Sequence, residues 1–167
     1  MPRPHVVTRR RALPLALLAA LTAAGVALAA AGDITTVAGG GGNDGDAAAL
    51  SARLRKPRRV AWLPGGGMLI SEFGEVNNGN SPQYGDGRIR ELKNGQVTTV
   101  AGDGVQGFKG DGGPALAAEF DGPSDVAVIP GTSDYLVADE FNSRVEWSTP
   151  LGISARLQGT GITDAKP

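Results

Sequence analysis

Five basic residues fall within seven positions at RLRKPRR, residues 53–59. Arg53, Arg55, Lys56, Arg58 and Arg59 together could hold an anionic partner, such as an envelope polymer or a lipid headgroup surface. The same run also reads as a solvated surface loop. Two Gly/Asp loops, GGGGNDGD at 39–46 and GDGVQGFKGDGG at 102–113, raise calcium or phosphate binding. Neither has the ligand spacing and closing glutamate of a calcium loop. Neither is a G-x-x-x-x-G-K-[ST] phosphate cradle. Turns rich in positive-φ residues account for them better.

What the chain lacks narrows the chemistry further. It has no cysteine, which excludes disulfides and thiolate metal sites. Its single histidine, His5, precedes an apolar run, and no G-x-S-x-G elbow or Ser-His-Asp set can be assembled after it. That run, 12–31, is alanine-rich, uncharged, preceded by Arg9, Arg10 and Arg11, and ends in A-x-A patterns. A basic segment, an apolar segment and small residues make residues 1–31 a secretory signal peptide. An uncleaved single-pass N-terminal membrane anchor is the alternative, since about 20 apolar residues span a bilayer. Either way the remainder is extracytoplasmic, secreted or held at the cell envelope.

Four of the 16 Lys/Arg and none of the 17 acidic residues lie in the leader, so the mature part carries 12 against 17, a formal net of −5. A mildly acidic domain is a poor general binder of nucleic acid. Without His5 it also has no imidazole, which excludes a histidine-built copper or zinc site. No cofactor is implied.

The elements that position these residues repeat. ITTVAG at 34–39 returns as VTTVAG at 97–102. AAALSARL (47–54) answers GPALAAEF (113–120), Pro57 answers Pro123, RVAWLPGGGMLIS answers DVAVIPGTSDYLVA, and RIREL (88–92) answers RVEWS (144–148). Repeats of this length point to an architecture of stacked units. Within each unit, short apolar or alternating runs separated by Gly, Pro, Asn and Asp read as four antiparallel strands, with Pro-Gly turn signals between the first two. An orphan strand is expected at 34–37. The helical candidates are the alanine-rich pieces before each first strand, with Asp46 capping one and Pro114 opening the other. A repeated four-stranded sheet is one blade of a β-propeller.

The segment GPSDVAVIPGTSDYLVADEFNSRVEW, preceded by TTVAGDGVQGFKGDGGPALAAEF, resembles the NHL-repeat propellers of secreted bacterial proteins. The family's G-P-x-x-V-A-V strand, L-Y-V-A-D strand and N-x-R-[IV] step match residues 122–128, 135–139 (with Tyr and Leu exchanged) and 142–145. The first unit departs from it, with Ser71-Glu72 in place of Ala-Asp. The resemblance implies an NHL segment over 32–167, with blade 1 at about 57–102 and blade 2 at about 122–159. Asp139, Asn142 and Arg144 are then structural hallmarks of the repeat, the Asp139 carboxylate accepting turn amides. Glu72, Asp139 and Glu140 fall at strand ends that could face a central channel.

Two blades do not close a ring. Three expectations follow: a piece of a larger propeller, self-association to complete one, or an open fragment. The insertion FGEVNNGNSPQYGDG (73–87), with Tyr84 its one tyrosine, is either a recognition loop or a spacer. The leading functional expectation is a non-catalytic scaffold and interaction module, with a protein or an anionic envelope polymer as partner. The alternative is a remnant of a lactonase- or lyase-like propeller enzyme without a complete active site.

Overall fold

The computed structural model describes residues 34–74 and 87–149, and the backbone of Ser154–Arg156. Residues 1–33, Tyr84 and most of the 73–87 insertion lie outside the described residues. Contacts divide the chain after Thr35, and the unit that follows, Thr36–Pro167, is all-β with two antiparallel sheets.

The first sheet is built from β1 (Ala47–Ala48), β2 (Pro57–Trp62), β3 (Met68–Glu72), β4 (Arg88–Lys93) and β5 (Gln96–Ala101), in the order β1-β5-β4-β3-β2. The second holds β6 (Pro123–Val128), β7 (Tyr135–Asp139), β8 (Arg144–Ser148) and β9 (Ser154–Arg156) in sequential order. Turn chemistry sets the register. Asn94 and Gly95, at φ 52° and 75°, join β4 to β5 through the two-residue turn that matches strand twist. The edge strands β2 and β6 both open on a proline and carry a register shift directly after it, between Pro57 and Arg59 and between Pro123 and Asp125. Proline brings no N–H to the ladder, so the irregularity falls where a bond is missing anyway.

The sheets pack face to face. Leu69, Ile89 and Ala101 of the first meet Val126, Tyr135 and Val137 of the second, and Ala115, Ala118 and Phe120 from the crossover between them fill the seam. Burying each large apolar side chain there contributes roughly 1.5–3 kcal/mol. A smaller cluster, Ala49, Ala52 and Val97 with Ala38, Leu54 and Leu92 against it, lies where the 39–54 crossover returns to the first sheet.

Three expectations need correction. Residues 34–37 form no strand, and Ile34 is fully exposed. The second copy of the hexapeptide is a strand because the Asn94-Gly95 turn lays it on β4, and the first copy has no such turn before it among the described residues. The first sheet has five strands, since Ala47–Ala48 adds to the free edge of β5. The alanine-rich pieces are not regular helices either. The first copy is that added strand followed by a turn, and the second is a 3₁₀ turn, Ala115–Ala117, behind Pro114. Asp46 does not cap a helix: its carboxylate accepts the Thr99 N–H of β5 at 2.8 Å, which draws the chain onto the sheet edge.

Candidate functional site

The densest group of buried polar side chains closes one end of the second sheet. Asp139, the last residue of β7, is fully buried. Its Oδ1 accepts the Asp121 N–H at 2.7 Å, and its Oδ2 accepts from Asn142 Nδ2 at 2.7 Å and Arg144 Nε at 3.0 Å. The β7–β8 turn makes this possible: Ser143 takes φ 52° and donates its N–H to Glu140 O, which brings Asn142 and Arg144 back onto the strand end. Asn142 also donates to Gly107 O at 2.6 Å.

Arg144 ties three segments together. Beyond Asp139, its guanidinium donates to Glu119 O at 3.1 Å and reaches Phe108 O and Asp111 Oδ1, each at 3.4 Å. It stacks over the Phe108 ring at 4.2 Å and contacts the Glu146 carboxylate two residues along β8. Burial pushes the Glu146 carboxyl up to about 7, against the pull of Arg144, and raises Asp139 despite its three donors. A buried acid poised near neutrality is the kind of group that catalytic sites use. Here it is 2% exposed and faces an arginine that is itself fully engaged.

The first sheet carries a related network with one substitution of parts. Glu72 ends β3 as Asp139 ends β7, and it accepts the Arg55 N–H at 3.1 Å as Asp139 accepts that of Asp121. The cation differs. Arg88 sits opposite Glu72 in register, as Arg144 sits opposite Asp139, yet Arg90, two residues on, is the buried one. Its Nη1 is 3.7 Å from Glu72, and it donates to Asp44 O at 3.2 Å and Gly45 O at 2.8 Å. Burial raises the Glu72 carboxyl above its ordinary range, with Arg90 opposing. In both sheets, then, an arginine anchors the preceding crossover loop through its carbonyls.

The residues of the basic run meet different partners within the chain. Arg55 makes a two-point contact with Asp44, at 3.1 and 2.9 Å, and this holds the Asp44 carboxyl below its usual value. Arg53 lies 3.8 Å from the same carboxylate. Arg58 stacks over Phe73 at 4.2 Å, and Arg59 pairs with Asp125 across the seam at 3.5 Å. Lys56 is exposed. Asp139, Asn142 and Arg144 are brought together, whereas Glu140 is exposed and apart from them. Sequence reasoning missed Asp44, Arg90 and Glu146. For Arg90 and Glu146 the available signal was a charged residue at an inward position of an alternating strand.

An open cavity of about 520 Å³ lies between the sheets, with Leu63, Leu69, Val100 and Leu116 as apolar lining and Glu91, Lys93 and Tyr135 as polar groups. Glu91 and Lys93 are 3.9 Å apart, an ion pair beyond hydrogen-bond distance, with Lys93 about half exposed. Burial raises the Tyr135 hydroxyl above its ordinary value, so it stays protonated. Among the described residues no three His, Cys, Asp or Glu side chains gather as a metal site would need, and no helix is long and apolar enough to cross a membrane. No protein-family model matches the sequence, and no curated protein matches it.

Proposed function

We propose that the chain is a segment of an NHL-like β-propeller that serves as a non-catalytic, extracytoplasmic scaffold and interaction module. One observation carries the reading: the buried charged groups hold crossover loops to sheets, and they do so in both repeats. Arg55 N–H to Glu72 and Asp121 N–H to Asp139 are the same bond in two copies. Phe73 N to Lys56 O and Glu140 N to Gly122 O repeat likewise, as do Gly74 N to Arg55 O and Phe141 N to Asp121 O. Groups spent on a repeated structural bond are not arranged around a substrate. Fold alone assigns no chemistry, and partner choice falls to loops and exposed faces. A protein partner fits better than an anionic polymer, because Arg55 and Arg59 already face carboxylates of their own chain.

The alternative, a lactonase- or lyase-like remnant, draws on the raised buried carboxyls, of which Glu146 is the one pushed up to about 7. Turnover decides between the two. The purified chain is assayed against a panel of lactones and uronate polysaccharides, with Glu146→Gln alongside. The scaffold reading expects no activity above the buffer blank and a change only in melting temperature. Hydrolysis or elimination that disappears in Glu146→Gln overturns it.

A further inference from the structure

The seam between the two sheets contains a template for a second contact. Each sheet has a front that receives its own crossover segment and a rear that faces away from it. The rear of the first sheet, through Ala61, Leu69 and Ile89, packs on the front of the second, through Val126, Val128, Tyr135 and Val137. The repeat places Val60 at the position of Val126 and Trp62 at that of Val128. Val126 is 4% exposed under its neighbouring sheet, while Val60 is 62% and Trp62 74% exposed. On the other side, Ala127, Leu136 and Val145 stand at the positions of Ala61, Leu69 and Ile89, and Val145 is 41% exposed.

The front of the first sheet already carries half of the core that such a seam requires. Ala38, Ala49, Ala52 and Leu54 repeat Ala101, Ala115, Ala118 and Phe120, and they gather in the smaller cluster as those gather in the larger. The larger cluster is completed by the rear of another sheet, and the smaller one is not among the described residues. Charge gives the same answer. Arg59 and Asp125 hold one repeat position on β2 and β6, have opposite sign, and pair across the existing seam. Continuing the same step beyond the second sheet sets Asp125 of one chain against Arg59 of the next, again opposite in sign.

We propose that the front of the first sheet docks the rear of the second sheet of another copy of this chain, head to tail. Val60 and Trp62 of one copy cover Ala127, Leu136 and Val145 of the other. The contact uses two different surfaces, so it propagates until it closes. Propeller rings hold about four to eight sheets. Copies that each bring the two described sheets therefore close a ring of about two to four chains. This inference rests on the repeated-sheet part of the preceding reading and is independent of whether the chain catalyses anything.

The experiment is light scattering after size exclusion on the purified chain, with circular dichroism on the same peak, for wild type, Trp62→Glu, Val145→Glu and their equal mixture. Both sites are exposed, so each variant keeps its β signal. Wild type is expected at two to four times the chain mass and each variant at the monomer mass. The mixture, at high concentration, is expected to form a dimer of one chain of each kind, since the intact rear of Trp62→Glu meets the intact front of Val145→Glu. A folded monomeric wild type overturns the proposal and leaves the scaffold reading standing. Assembly abolished by Trp62→Glu but untouched by Val145→Glu, or a mixture that stays monomeric, overturns the head-to-tail contact. A wild type without β signal overturns both this inference and the propeller reading.

Discussion

Lys56 and Gly122 hold the same place in the two sheets, one residue before the proline that opens the edge strand, and both have positive φ, 48° and 69°. At each, the backbone carbonyl accepts the N–H that follows the buried carboxylate, from Phe73 in one case and Glu140 in the other. Both sheets share the geometry, and only the second uses the residue suited to it.

Exchange at these two positions should therefore have opposite signs. A left-handed backbone costs a non-glycine residue roughly 1–2 kcal/mol. Lys56→Gly relieves that and gives back part of it as unfolded-state entropy, for a net gain of under about 1 kcal/mol. Gly122→Ala acquires the strain, and its Cβ would also lie 2.8 Å from a Phe141 ring carbon and 2.9 Å from one of Phe73. A loss of about 2 kcal/mol or more is expected. Urea unfolding of the two variants beside wild type checks both signs, and a destabilised Lys56→Gly would count against the account.

The Arg59–Asp125 pair is short-range but wet, with side chains 65% and 49% exposed. Exposed pairs of this kind contribute roughly 0.2–1 kcal/mol and weaken with salt. A double-mutant cycle with Arg59→Ala and Asp125→Ala should return a coupling in that range at low salt and close to nothing at 1 M. A coupling that persists at high salt would mean that the seam excludes water more than these exposures imply.

Much of this organisation is legible in the amino-acid sequence alone. Strands β2 to β8 follow from alternation and Gly/Pro punctuation, because each lies beside a turn that sets its own register. Asp139, Asn142 and Arg144 are three and five residues apart across one turn, so their meeting is a local matter. The partners of Arg90 were not legible. Asp44 and Gly45 lie far back in the chain and meet it only because the crossover folds onto the sheet. Asp46 misled for a related reason: an aspartate before an alanine run is a good helix cap locally, but the Thr99 amide at the sheet edge outcompeted the local one. Tertiary pairing decided both cases, and periodicity carries no signal for it.

Asp139 is expected to cost more to truncate than its neighbour Asn142. Asp139→Ala leaves the Asp121 amide, Asn142 and the buried Arg144 without their common acceptor. Breaking a buried ion pair from one side costs about 3–5 kcal/mol. Asn142→Ala removes two hydrogen bonds and buries no orphan charge, so about 1–2 kcal/mol is expected. Chemical denaturation should give that order. Equal effects would mean that Arg144 finds sufficient compensation in Asp111, Glu146 and the loop carbonyls.

The raised carboxyls make stability fall as pH rises, and Glu146 sets the window. Its ordinary value is 4.5 and its folded value about 7. Between these the folded chain binds the proton that the unfolded chain has released. The slope of unfolding free energy against pH is therefore negative there and flat above it. The stability is fully present below about 4.5 and lost as pH rises through about 7, with an upper bound of about 3 kcal/mol from this shift alone. Asp139 and Glu72, raised in the same direction, add to the trend. Asp44, lowered by Arg55, opposes it only at more acidic pH. Melting temperature should thus be higher at pH 5 than at pH 8. Glu146→Gln carries the neutral form at every pH, so most of that difference should vanish and the variant should outlast wild type at pH 8. A wild type that is instead more stable at pH 8 would place the Glu146 charge in an environment that welcomes it, with Arg144 outweighing the cost of burial.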